Sequence, residues 1–92
     1  MIDLDAMSPA ELDAFIDSRK KFPNMRALAL SLFPNGPTTN RFSYFKAANT
    51  LLALARIRRY HWGANVSKEW KRKYAELYNS LPKCEQYPHR SL

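Results

Sequence analysis

The segment from residue 56 to residue 73 mixes positive charges with aromatic rings. Seven of its residues are lysine or arginine, only Glu69 is acidic, and Tyr60, His61, Trp62 and Trp70 lie between the cations. Cations hold phosphates and flat rings stack on bases, so this combination suits nucleic acid. The same residues also suit an ordinary solvated surface or one that meets an acidic protein. The segment therefore predicts a basic surface without naming its ligand.

The predicted binding residues come from this segment. They are Arg56, Arg58, Arg59, Tyr60, His61, Lys68, Lys71 and Arg72. At about 100° per residue, the lysines and Arg72 fall opposite the apolar stripe of their helix, whereas Arg58 and Arg59 fall near the apolar arc of theirs. These two arginines must either project past the core or pair with a carboxylate such as Asp13 or Asp17. We expect the cations to converge around the Gly63 turn as one uncompensated patch.

A second candidate lies at the start of the preceding helix. Its residues are Thr39, Asn40, Arg41 and Lys46. A helix N-terminus attracts phosphate, and these residue types contact phosphates or base edges. The layout is similar to a helix-turn-helix, but about seven residues separate the two helices where that motif uses three or four. A capped helix start is the simpler interpretation.

Charge is distributed unevenly along the 92 residues. The net charge is +7, yet five of the eight acids precede every lysine and arginine, and from Ser18 onward fifteen cations face three acids. Such a balance favours an anionic partner, although the acidic start could also pair with the basic part within the fold. The length predicts one domain. Because Pro82 ends the last helical pattern and no period follows it, we expect a helical domain over residues 1–82 and an irregular tail over residues 83–92.

Residues for catalysis or metal binding are sparse. The chain has two histidines, His61 and His89, and one cysteine, Cys84. Cys84, Glu85 and His89 lack the number and spacing of zinc ligands, and no glycine-rich phosphate loop occurs. We therefore predict a non-enzymatic protein with no cofactor, metal or small-molecule substrate.

Location is predicted from what the chain does not contain. A single cysteine is typical of a reducing, cytoplasmic setting, and the acidic start lacks the basic residues of a signal peptide. No run reaches the roughly 20 apolar residues of a membrane span. The last helix is amphipathic, but its rings are needed for the core, so we expect no membrane partner.

Four helices separated by prolines are expected. Ser8-Pro9-Ala10-Glu11 forms a capping-box pattern, Asn24 caps a short second helix, and Ser67 or Asn65 begins the fourth. The third helix, from Arg41 to about Trp62, carries apolar residues over half its circumference. We predict an all-α, compact bundle of about four helices with a long central third helix.

The function predicted from these observations is a non-enzymatic basic domain that contacts nucleic acid, DNA or RNA, through its lysines and arginines. The alternative is a small adaptor or inhibitor, of the type found in phages and mobile elements, that docks on an acidic protein or nucleoprotein surface. The two interpretations use the same cations and differ in the partner. No motif in the chain resembles a known family.

Overall fold

The computed structural model describes residues 2–33, 41–63, 66–81 and 86, with residues 41–44 described by their backbone alone. Within these residues every regular element is helical and no strand is present. A 3₁₀ turn precedes four α-helices, and the bounds are Leu4–Ala6 for the turn, Pro9–Lys21 for α1, Met25–Leu32 for α2, Arg41–Tyr60 for α3 and Lys68–Asn79 for α4. The all-α prediction is confirmed.

Local hydrogen bonds fix where three of these helices begin. At α1 the capping box is complete, because Ser8 Oγ accepts from the Glu11 amide and Glu11 Oε1 accepts from the Ser8 amide, both at 3.2 Å. Asn24 Oδ1 accepts from the amide of Ala27 at 2.9 Å, and Ser67 caps α4. Each such cap contributes about 1 kcal/mol, so the starting points follow from local sequence.

Helix α3 is the longest of the described helices and contacts α1, α2 and α4. Its predicted apolar arc is buried from Ala47 to Ala55, and Phe45 is partly buried. The main core joins this arc to residues of the other elements, namely Leu4, Leu12, Tyr74, Tyr78 and Leu81. The prediction of a central third helix is confirmed.

Two features at the ends of the bundle differ from expectation. The 3₁₀ turn was not predicted, yet Leu4 is fully buried and Asp5 nearly so. Trp70 is predicted in the core but is 37% exposed, because it lies in the first turn of α4, whereas Tyr74 and Tyr78 lie further along the helix and are buried.

The division into a domain over residues 1–82 and a tail over residues 83–92 stays a prediction. The tail lies outside the described residues except for Gln86, whose side-chain amide donates to the Leu81 carbonyl at 3.2 Å. The loop over residues 34–40 also lies outside them.

Candidate functional site

The last turns of α3 present Arg56 and Tyr60 to solvent. Residues four apart lie on the same face of a helix, so these two side chains are neighbours. Tyr60 is 82% exposed, and Arg56 is also exposed. An aromatic ring this exposed contributes little to the core, which leaves its face open to a ligand.

A groove of ≈ 320 Å³ lies beside this face. We call it the aromatic groove, and its lining residues are Arg56, Ile57, Tyr60, His61 and Trp70. The His61 ring lies 4.9 Å from Tyr60 at 84°, and 5.0 Å from Trp70 at 54°. The imidazole thus links the exposed ring of α3 to the ring of α4, and the rest of the wall is largely apolar.

The Nε2 atom of His61 is buried and has no hydrogen-bond partner among the described residues. A buried polar atom in this state destabilises the fold by about 1–3 kcal/mol. Such atoms are uncommon in folded proteins and call for an explanation such as a functional role or a bound water. This one lies on a side chain that lines the aromatic groove.

Lys73 supplies a positive charge at the α4 side of the groove. Its Nζ atom lies 5.0 Å from the centre of the Trp70 ring, a cation–π contact that favours this placement by about 0.5–1 kcal/mol at an exposed site. The two residues are three apart on α4 and therefore share a side of the helix. Arg56 on α3 therefore lines the groove, and Lys73 on α4 lies next to one of its lining residues.

Arg58 does not belong to this surface. Its Nη1 atom lies 2.9 Å from Oδ1 of Asp5, with the arginine side chain 14% exposed and that of Asp5 fully buried. Burial, and then the charges of Asp5 and Asp3, raise the pKa of the nearby Tyr78 hydroxyl above 10.0. Arg58 is therefore part of a polar cluster within the fold.

Arg59 is also paired. Its Nε atom donates to Oδ1 of Asp13 at 3.0 Å, and both side chains are about half exposed. The expectation that these arginines lie uncompensated is therefore wrong for both Arg58 and Arg59, because carboxylates of the first thirteen residues reach them.

The three predicted cations of α4 are exposed, but they do not line the groove. Only Arg72 among them has a carboxylate in range in the described structure, with Glu76 at 3.9 Å, and that pair is largely solvated. At about 100° per residue, Lys68 and Arg72 lie about 160° from Trp70 and Lys71 about 100°. The expected single patch is instead two surfaces, the aromatic groove and the polar face of α4.

The secondary candidates are only partly described. Thr39 and Asn40 lie outside the described residues, as do Cys84 and His89. Arg41 begins α3, but its side chain is not described, while Lys46 is exposed on that helix. Nothing in the described structure connects Lys46 with the aromatic groove.

Sequence reasoning missed Ile57 and Trp70, which line the groove, and Lys73, which lies beside Trp70. Trp70 was assigned to the core, and Lys73 was counted in the basic segment but not among the binding residues. The three-residue spacing of Trp70 and Lys73 could have identified that pair, since it places a cation beside a ring in the first turn of the helix.

Two further properties of the described residues bear on function. They contain no group of three histidine, cysteine, aspartate or glutamate side chains placed to hold a metal ion. None of their helices combines the length and apolar character that crossing a membrane requires.

Comparisons of the chain with family models, with curated proteins and with solved structures found no significant match.

Proposed function

We propose that this protein is a non-enzymatic domain that binds nucleic acid through the exposed cations at the end of α3 and along α4. One observation carries the proposal: five exposed cations accompany two exposed rings that line one groove, those of Tyr60 and Trp70. The cations are Arg56, Lys68, Lys71, Arg72 and Lys73. Water solvates any surface lysine, so exposed lysines alone indicate no ligand. Aromatic rings exposed among them add a stacking contact, which nucleic-acid bases can use.

The ion pairs reduce the number of phosphates that this surface can hold. Four of the five cations have no carboxylate within ion-pair distance in the described structure, whereas Arg58 and Arg59 do. For a single strand, four phosphate contacts give a salt slope of about −3 and six give about −4. Affinity should then fall about 50-fold between about 50 mM and 200 mM salt.

Fluorescence anisotropy with labelled single-stranded and duplex DNA and RNA at these two salt concentrations tests the proposal. Binding with a slope near −3 supports it. A lack of binding to all four probes at about 50 mM salt rules it out, and an acidic protein surface then becomes the leading partner. Recovery of one stoichiometric protein after nuclease treatment would support that rival.

A matched pair of variants locates the surface. Reversing Lys68, Lys71 and Arg72 to glutamate should abolish binding without unfolding the domain, because all three are exposed. The control reverses three exposed cations of α1 and α2, namely Lys20, Lys21 and Arg26, and changes net charge equally. Equal losses from both variants would mean that net charge alone drives binding and that the α4 surface has no special part in it.

A cytoplasmic location belongs to the same proposal. It rests on the single cysteine, Cys84, since proteins of oxidising compartments commonly carry paired cysteines.

A further inference from the structure

We infer that the aromatic groove receives an unstacked base of a single-stranded nucleic acid, with Tyr60 as the stacking platform and Arg56 and Lys73 beside the flanking phosphates. This inference rests on the proposed function and specifies its ligand. It distinguishes a single strand from a duplex, because paired bases are stacked on one another and offer no free face.

The exposure of Tyr60 is the first argument. The ring is 82% exposed at the end of α3, and its one described ring contact is an edge contact with His61 at 84°. An edge contact covers at most one face of the Tyr60 ring, so its other face stays available. Base–aromatic stacking needs only such a face and tolerates any base.

The dimensions and lining of the groove are the second argument. A volume of ≈ 320 Å³ lies at the lower end of the range for small-ligand sites, about 300–1,000 Å³. That volume suits one planar group of a ligand and is too small for a helix of a partner protein. Because the lining is largely apolar apart from Arg56 and His61, it suits a base better than a hydrated anion.

The placement of charge is the third argument. Arg56 shares a face of α3 with Tyr60, and Lys73 lies 5.0 Å from the ring centre of Trp70 on α4. A strand that places one base in the groove has a phosphate on each side of that base. The two cations lie on the two helices that border the groove, which complements this arrangement.

Abasic oligonucleotides separate stacking from charge. We would measure anisotropy at about 50 mM salt with labelled oligothymidylate of about 12 nucleotides and with an abasic strand of the same length, which keeps the phosphates. The wild-type protein should bind oligothymidylate about 5–150-fold more tightly than the abasic strand, the range that one or more stacked bases provide.

Variants assign that difference to the groove. Tyr60→Ala should remove most of the preference for oligothymidylate and leave affinity for the abasic strand unchanged, while Tyr60→Phe should retain the preference. Trp62→Ala is the matched control, since Trp62 is 46% exposed but does not line the groove. In a Trp62→Phe protein Trp70 is the sole tryptophan, and oligothymidylate but not the abasic strand should quench its fluorescence.

The outcomes distinguish the two proposals. If both strands bind with equal affinity and Tyr60→Ala has no effect, the inference is overturned. The proposed function still stands in that case, provided that binding depends on salt. Loss of the preference in Trp62→Ala but not in Tyr60→Ala also overturns it, because stacking then occurs elsewhere. If neither strand nor a duplex binds, the proposed function fails, and the inference fails with it.

Discussion

Replacing Arg58 by methionine removes the guanidinium that lies 2.9 Å from the fully buried Asp5 side chain. Breaking a buried ion pair from one side costs about 3–5 kcal/mol, because the remaining charge stays desolvated. A 92-residue domain has a total stability of about 5–14 kcal/mol, so this variant should lose a large part of it. The melting temperature should fall by about 12–40 °C.

The neighbouring arginine is the control for this prediction. Arg59→Met makes the same substitution one residue later, but its pair with Asp13 is about half exposed and should contribute about 0–1 kcal/mol. Urea unfolding followed by far-ultraviolet circular dichroism gives both free energies of unfolding. The double variant Asp5→Asn with Arg58→Met should be more stable than Arg58→Met alone, because no buried charge then remains.

Two results would refute this reasoning. Similar losses in Arg58→Met and Arg59→Met would mean that burial does not set the strength of these pairs. A double variant no more stable than Arg58→Met would mean that the loss comes from packing of the arginine stem and not from the charge of Asp5.

Three further predictions concern binding, pH and packing. Asp13→Asn should release Arg59 and steepen the single-strand salt slope by about 0.7, measured by anisotropy. Because the pKa of Tyr78 is raised, the folded state keeps its proton above pH 10.0 while the unfolded state loses it. Stability should therefore fall as pH rises above that value, by up to about 1.4 kcal/mol per pH unit, and Tyr78→Phe should reduce this slope in urea unfolding. Leu4→Ala should cost about 2–5 kcal/mol of unfolding free energy, which would show that the 3₁₀ turn belongs to the core.

The helices could be predicted because their signals are local. The Ser8 capping box and the Asn24 cap lie within three residues of the amides they bind, so no tertiary contact is needed to recognise them. Gly63 has a φ of 72°, which suits a glycine after a helix, and α3 ends at Tyr60 where the sequence predicts about Trp62. The first turn was missed because three residues are too few to show a period.

The candidate site was harder to predict, because it depends on partners distant in the chain. Helical geometry placed Arg58 near the apolar arc of α3 but could not choose between projection and pairing. Arg58 pairs with Asp5, which lies 53 positions earlier in the chain and whose location depends on how Leu4 packs. Trp70 and Lys73 pose the same difficulty, since a ring in the first turn of an amphipathic helix is buried or exposed according to the neighbouring helix.

The buried ion pair and the candidate site are connected through the geometry of α3. Arg56 and Tyr60 each lie about 160° around the helix from Arg58, so the inward position of Arg58 directs both of them to solvent. His61 lies about 60° from Arg58 and thus stands at the border between core and groove, where α4 brings Trp70 to within 5.0 Å. The acidic first residues therefore neutralise two of the seven cations of this segment and orient the helix that carries a third. Because Asp5 and Asp13 pair with Arg58 and Arg59, the charge that remains exposed is concentrated beside Tyr60 and along α4.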